Sequence, residues 1–347
     1  MLAVPKRGRK RDYRHQMVVD YCEDNPKMPT VTLARMILKN HPLDFSTMDS
    51  LRSRIRAIRN EHSEVSNKKE SAHLKRTEKQ KLMAIQNQDW HDIPETDYTE
   101  IEPYEIPRGN NRILVLSDVH VPYHDPKAIV LATEYAKKHL NPNVIYLNGD
   151  IMDVYQASRF VKDRRLRDLA GELELTKQFL DYINKQFPKA KKYYKMGNHE
   201  DRWEIYLKSH APALLGIDEF KLGVLLKLGE KGYQVIDSKQ FTYAGKLNIL
   251  HGHEVFAGFG GQVNPARTIF TRAKASTLIG HHHRTSEHNE KDIRGNIITT
   301  FSAGCLCGLR PEYMPHNNWN HGFAFVEVDR DGGFQLDNLR IVKGKVR

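Results

Sequence analysis

The sequence predicts an α/β sandwich with mixed sheets, preceded by a small all-α, helix-turn-helix-like module. Three observations lead there. From Asn111 onward, short apolar runs alternate with amphipathic helical stretches, as in parallel β-α units. After residue 284 the pattern changes to short strands joined by turns. Before residue 83, apolar residues recur at helical spacing in a segment that carries most of the positive charge.

The first module spans residues 1–82. Helices are predicted over 13–22, with Met17 and Tyr21 on the apolar face, and over 30–40, with Val31, Ala34 and Leu38; Asn25-Pro26 and Pro29 separate them. A third helix starts near Ser46, where Ser46 and Asp49 resemble a capping box with Asp in place of Glu or Gln. It buries Leu51, Ile55 and Ile58, while Arg52, Arg56 and Arg59 share another face and Arg54 adds a fourth charge. Residues 1–82 hold 19 Lys and Arg against 10 Asp and Glu, which is +9 of the net +11. Together with the basic arm Lys6-Arg7-Arg9-Lys10-Arg11, the arginine-rich helix suits phosphate contacts, so nucleic acid, DNA ahead of RNA, is the expected partner. The competing reading is a solvated face or a subunit contact. Residues 61–82 read as a further polar helical segment.

Residues 83–110 carry Asp89, Asp92, Glu95, Asp97, Glu100, Glu102 and Glu105 among Pro94, Pro103 and Pro107, with no amphipathic period. They read as an extended acidic linker to a large domain over 111–347. In that domain Asp125 is the N-cap of a helix with Pro126 at its first position, a long amphipathic helix covers roughly 165–186, and Asn264-Pro265 opens a helix running to about Lys274. Strands follow at 296–301, 322–328 and 334–342, the last two joined by the turn Asp329–Gly333.

Five polar clusters each follow a short apolar run: Asp118-Val119-His120, Gly149-Asp150, Gly197-Asn198-His199-Glu200, His251-Gly252-His253 and Gly280-His281-His282-His283. Each reads as a buried strand ending in a loop of metal-ligand residues, and such loops converge at the carboxyl ends of strands in one sheet. Imidazole and carboxylate without thiolate suit Mn, Fe, Zn or Ni, and a carboxylate such as Asp150 can bridge two ions. Two divalent ions about 3.5–4 Å apart clamp a phosphate and lower the pKa of a bridging water, so hydrolysis through a metal-bridging hydroxide is the reaction such a site does best.

In this order the clusters resemble the calcineurin-like metallophosphoesterase superfamily, whose pattern runs D-x-H, G-D, G-N-H-[ED], H and G-H-x-H. The resemblance spans about residues 112–310. It implies a four-layer α-β-β-α sandwich with two mixed sheets, and two divalent ions, Mn first, with Fe, Zn, Ni or Mg as alternatives. One ion would be held by Asp118, His120, Asp150 and His283, the other by Asp150, Asn198, His251 and His281. His199 would protonate the leaving alkoxide or stabilise its charge, oriented by Glu200 or Asp201. His253 and His282 would support the ligands or face substrate, His124 would sit on the rim, and Asp153 would support the loop of Asp150. Arg202 and Arg284 would meet substrate phosphates or form surface ion pairs.

The chain lacks the Arg-Gly pair of the phosphoprotein phosphatases, having Gly149-Asp150-Ile151-Met152-Asp153-Val154-Tyr155, so that branch is not expected. The double-strand-break repair nucleases carry their extra parts after the five motifs, whereas the basic module here precedes them. The expected activity is a phosphodiesterase or nuclease acting on nucleic acid or nucleotides. The alternatives are a phosphomonoesterase on a small metabolite or phosphoprotein, and a nucleic-acid-binding protein with a little-used metal site. Cys22, Cys305 and Cys307 are too few and too poorly spaced for a disulfide framework or a thiolate zinc cage. Mean hydropathy of -0.63, with no long apolar stretch and no secretory h-region, leads to the expectation of a cytoplasmic protein without a membrane span. Substrate, native metal, cleavage polarity and oligomeric state are not legible in the residues.

Overall fold

A computed structural model describes residues 13–45, 47–59, 96–159, 168–255 and 263–347. The chain divides into two units, Met1–Asp97 and Tyr98–Arg347. In the first, helices α1 (Tyr13–Asp24), α2 (Thr30–Asn40) and α3 (48–59) close around Val18, Cys22, Leu33, Ala34, Ile37, Leu51, Ile55 and Ile58. The predicted face of α3 is the observed one. Those of α1 and α2 are corrected in part: Val18 and Cys22 are the buried residues of α1, with Tyr21 packed partly against them and Met17 outside the cluster, and Leu33 and Ile37 join Ala34 on α2, with Leu38 partly buried and Val31 outside. With apolar residues on adjacent positions, the spacing alone does not select between two neighbouring stripes. Thr47 Oγ1 accepts from Ser50 N–H at 3.2 Å at the start of α3. Ser46, the basic arm and the segment 61–82 lie outside the described residues.

The second unit has two mixed sheets. Strands β1 (Tyr104–Glu105), β2 (Asn111–Leu116), β3 (Val144–Asn148), β4 (Lys191–Lys195), β5 (Tyr233–Ile236), β6 (Thr242–Ala244), β7 (Leu247–Ile249), β8 (Thr277–Ile279), β9 (Ser286–Lys291), β10 (Ile297–Ser302), β11 (Gly322–Val328), β12 (Phe334–Val342) and β13 (Lys345–Val346) are ordered β13-β12-β11-β2-β3-β4-β5 and β1-β6-β7-β8-β10-β9. Strands β2 to β5 are mutually parallel. Strand alternation makes the layers: Leu114 and Leu116 of β2 face helices α4 (Pro126–Tyr135) and α5 (Leu169–Gln186), while Ile113 and Val115 face Leu247, Ile249 and Leu278 of the other sheet. Helix α8 (Pro265–Ala273) covers the outer side of the second sheet through Ile269, against Leu250 and Ile279. The expected α-β-β-α order of layers is what these clusters form. The short helices α6 (Asp201–His210) and α7 (Leu222–Leu225) follow β4 and complete the unit.

Local chemistry fixes the helix starts. Asp125 accepts from Lys127 and Ala128 N–H, and Asn264 accepts from Arg267 N–H, each before a proline at the first helical position. Helix α5 begins at Leu169 with Asp168 as cap, and residues 160–167 are outside the described part. One expected boundary is corrected. Tyr104–Glu105 pairs with β6 and Ile106 is buried between the sheets, so the end of the expected linker is part of the large domain; two strand residues are too short to show a period. Among the described residues no helix is long and apolar enough to cross a membrane.

Candidate metal centre

The ligand loops come from both sheets. Asp118 and His120 follow β2, Asp150 follows β3 and Asn198 follows β4, whereas His251 follows β7 and His281 and His283 follow β8. This corrects the expectation of one sheet: the strand ends of two face-packed sheets meet along a shared edge. The loops are tightly wound. Asp118, His120, Asp150, His281 and His283 all have φ between 51° and 63°, a region that non-glycine residues rarely adopt. Strain at five ligand positions is held by the surrounding packing and marks a functional site. Two glycines make the approach possible: a Cβ on Gly149 would strike the His251 ring, and one on Gly280 would strike Ser117 Oγ and the Asp118 carboxylate.

Asp150 Oδ2 is the point of convergence. It lies 3.2 Å from His251 Nε2, 3.7 Å from His199 Nε2 and 3.8 Å from His120 Nε2. On one side, His120 Nε2 is 3.1 Å from His283 Nε2, which is 3.2 Å from Asp118 Oδ1. On the other, His251 Nε2 is 3.2 Å from Asn198 Oδ1, and Asp150, His251 and His281 bring ligand atoms within 4.8 Å of one another. The structure thus brings the residues of the two expected sets together, with His199 beside His120 and Asp150, and Cys307 beside His120 and His283, as further potential donors.

The donor chemistry fits divalent cations. His251 Nδ1 lies 2.7 Å from the Asn148 carbonyl and His120 Nδ1 lies 3.0 Å from Asp153 Oδ1; these partners take the Nδ1 protons and leave Nε2 as the lone-pair donor. His281 Nδ1 is buried with no hydrogen-bond partner, as a ligand nitrogen would be. Burial opposes ionisation of Asp118 and Asp150, yet the neighbouring imidazoles outweigh it and hold both carboxyls below the usual range. Burial likewise pushes His251 and His283 down, and Asp150 and Asp118 outweigh it and lift them to about 10. Burial with His251 nearby lowers His281 to about 3. Ionised carboxylates packed among imidazoles are the donors that Mn, Fe, Zn or Ni take.

The remaining expected residues separate by role. His199 is oriented by neither Glu200 nor Asp201: its Nδ1 stands 2.9 Å from Asp153 Oδ1. Asp153 therefore aligns two rings, His120 and His199, and its backbone N–H, donating to Val121 O at 2.9 Å, ties the Asp150 loop to the His120 loop. Glu200 is turned inward, accepting from the N–H groups of Asp150, Ile151, Met152 and Gly197 and from Tyr194 O–H. It braces the loop that was expected to rest on Asp153. Asp201 instead hydrogen-bonds Ser238 and lies 3.9 Å from His253 Nε2. The expectation failed because three carboxylates within the two loops have equal claim in sequence, and only the backbone path decides among them.

Arg202 reaches into the site, with Nη1 2.8 Å from Asp153 O and Nη2 2.7 Å from His199 Nε2. Arg284 is held by its own carbonyl, which accepts from Ser302 Oγ at 2.7 Å. The His253 and His282 rings lie 6.5 and 5.3 Å from that of His281, and burial lowers both to about 4. His124 pairs through its backbone with Cys307, and burial lowers it too.

Three features were not read from the sequence. Lys195 at the end of β4 is fully buried, 3.1 Å from Glu254 Oε1, and donates to the carbonyls of Asp237, Ser238 and Gln240. Glu254 in turn accepts from His251 and Gly252 N–H. The His-Gly-His-Glu run carried that signal. Cys307 Sγ stands 3.8 Å from His283 Nδ1, behind a ligand, and no spacing rule pointed to it. Glu172 of α5 accepts from Val154 N–H, holding a β-branched residue at φ 52°.

Comparison with known proteins adds the family. No curated protein matches the sequence. Vacuolar protein sorting 29 from Cryptosporidium parvum is similar at 14% identity and TM-score 0.38, over 69% of this chain and 95% of that one. A single-site mutant of that protein from Entamoeba histolytica is similar at 15% identity and TM-score 0.29, over 68% and 96%. At that level the likeness carries no functional argument. The family model for calcineurin-like phosphoesterase matches residues 111–303, a span holding every ligand loop described above, and the chain therefore belongs to this family of metal-dependent phosphoester hydrolases.

Proposed function

We propose that this phosphoesterase hydrolyses phosphodiesters in nucleic acid or nucleotides, with Mn as the preferred ion and DNA ahead of RNA as the polymer. The observation that carries this reading is the charge asymmetry. The first 82 residues hold +9 of the net +11, and their described part is a separate three-helix unit with Arg14, Arg35, Lys39 and Arg56 exposed. A polymer of phosphates is the partner that such a surface selects.

Asp118, His120, Asp150 and His283 would hold one ion, and Asp150, Asn198, His251 and His281 the other. Bound there, divalent ions supply charge for the phosphoryl oxygens and an activated water at neutral pH. The protein's own groups do the rest. His199 Nδ1 donates to the Asp153 backbone carbonyl at 3.1 Å, with Asp153 Oδ1 2.9 Å away, and Nε2, which accepts from Arg202 Nη2 at 2.7 Å, is the nitrogen that would turn to the leaving oxygen. Arg202 stands beside that nitrogen, with further guanidinium N–H donors for a phosphate oxygen.

The test is Mn-dependent cleavage of labelled single- and double-stranded DNA and RNA, beside bis-p-nitrophenyl phosphate and p-nitrophenyl phosphate. Wild type, His199→Ala and Asp150→Asn are compared. Polymer cleavage that both variants lose is the expected result. Turnover of the monoester alone would sink the diester reading, and turnover of small diesters alone would remove the polymer from it.

A further inference from the structure

The β10–β11 connection, residues 303–321, passes from one sheet to the other over the metal-ligand cluster. Connections of this length with no regular structure are commonly functional. Both of its ends are tied to ligand loops: Leu306 N–H donates to Asp118 O at 3.0 Å, and Asn320 N–H donates to His283 O at 2.9 Å. Between these ties it presents two aromatic rings in series. Trp319 stands against His283 with ring centroids 4.1 Å apart and planes at 66°. Tyr313 stands against Trp319 at 6.4 Å and again 66°.

Tyr313 is 77% exposed and its neighbour Met314 is 41% exposed. Neither is there to fill the loop. The turn that presents them is braced from within: Asn317 Nδ2 donates to the carbonyls of Leu309 and Met314, and Asn317 Oδ1 accepts from Trp319 N–H. An ordered turn that holds a large ring in water forgoes the stabilisation burial would give, unless something stacks on the ring. The ring is joined to the ligand cluster through Trp319 and His283. On the loop of His120, Tyr123 is 47% exposed and its carbonyl accepts from Gly308 N–H at 2.8 Å, so a second aromatic ring stands beside the same connection.

We propose that Tyr313, backed by Trp319, is a stacking platform for the nucleobase that adjoins the scissile phosphate. The substrate class this defines is a phosphodiester bearing an unpaired base, in a single strand, a frayed end or a free nucleotide. An aromatic face binds any base with little regard to its identity, and a base inside an intact duplex has no face to offer. Trp319 is committed to His283, which leaves Tyr313 as the ring that meets the ligand. The proposal rests on the phosphodiesterase reading above.

Two esters with the same leaving group test it: thymidine 5′-(p-nitrophenyl) phosphate and methyl p-nitrophenyl phosphate. In the Mn-loaded wild type the nucleoside ester should show a KM lower by about tenfold or more, the scale of one base–aromatic stack. Tyr313→Ala should raise that KM to the level of the methyl ester and leave kcat within about twofold, while Tyr313→Phe keeps the preference. Equal KM values in the wild type, or a preference that survives Tyr313→Ala, would overturn the platform. Turnover of neither ester would sink the phosphodiesterase reading separately. In that case equilibrium titration of thymidine monophosphate against methyl phosphate decides, the same ratio supporting the platform and equal affinities overturning it.

Discussion

Asp153 Oδ1 lies 2.9 Å from Nδ1 of His199, and the same oxygen lies 3.0 Å from Nδ1 of His120. One carboxylate thus faces both a candidate metal ligand and the histidine proposed to assist the leaving group, whose Nδ1 also reaches the Asp153 backbone carbonyl at 3.1 Å. Burial opposes its ionisation, but hydrogen bonds from both histidines hold it below the usual carboxylate range. Asp153→Asn should lower both metal affinity and kcat by about 10- to 100-fold, because a neutral amide oxygen accepts more weakly than a carboxylate and removes the negative charge that faces both rings. Mn titration and steady-state kinetics measure the two losses. The control is Asp201→Asn, which faces Ser238 and His253; a loss there equal to that of Asp153→Asn would mean that the orienting carboxylate has been misassigned.

The buried pair of Lys195 and Glu254 clamps the His251 loop to the end of β4. Removing one partner leaves a charge in the interior, a loss of about 3–5 kcal/mol. Lys195→Met should therefore destabilise strongly and weaken Mn binding, since Glu254 positions the backbone of His251. The double variant Lys195→Met/Glu254→Gln should recover part of the stability. Denaturant unfolding of the single and double variants decides it: additive losses would show that the two side chains do not act as a pair.

The elements with a long period or a strong cap were legible in the sequence: α4 and α8 from Asp125-Pro126 and Asn264-Pro265, and β11 and β12 from the turn between them. The convergence of the five clusters was legible because strand ends concentrate candidate ligand residues in a fixed order. What escaped was what depends on chain path. Glu200, Asp201 and Asp153 are all acidic neighbours of the site, and their division of labour follows from which way each loop turns. Nothing in the run before Gly197 marks Lys195 of β4 as a paired interior cation, and only the fold surrounds it with carbonyls. The two-residue β1 is too short for any periodic signal.

Glu172 sets a pH dependence of stability away from the metal ligands. Burial pushes its carboxyl up to about 8 from an ordinary 4.5, against N–H donors from Val154 and Tyr155. The folded state therefore binds this proton more tightly than the unfolded chain. That contribution is complete below 4.5 and is lost as pH rises through about 8. The wild-type Tm should fall between pH 5 and 9, and Glu172→Gln, which stays neutral, should flatten this part of the profile. Parallel profiles for the two proteins would show that Glu172 does not carry the dependence.

The four arginines of α3 are not equally available to a ligand. Arg59 donates to Thr30 Oγ1 at 3.2 Å and to the Asn25 carbonyl at 3.1 Å, pinning the α1–α2 turn, and Arg52 pairs with Asp49 at 3.1 Å. Arg56 is exposed, and Arg54 is half-buried with a partner of its own. Phosphate binding by this helix therefore falls on Arg56 before Arg59. Arg56→Ala should leave stability unchanged and weaken nucleic-acid binding, reducing the slope of log affinity against log salt by about 0.9 for one lost phosphate contact on duplex DNA. Arg59→Ala should cost about 1–3 kcal/mol of stability in the helical unit, because a charged donor to two acceptors is lost. Thermal unfolding and a salt series of binding isotherms separate the two effects. A flat salt dependence in the wild type would return the helix to the reading it competes with, a face that meets only water or another subunit.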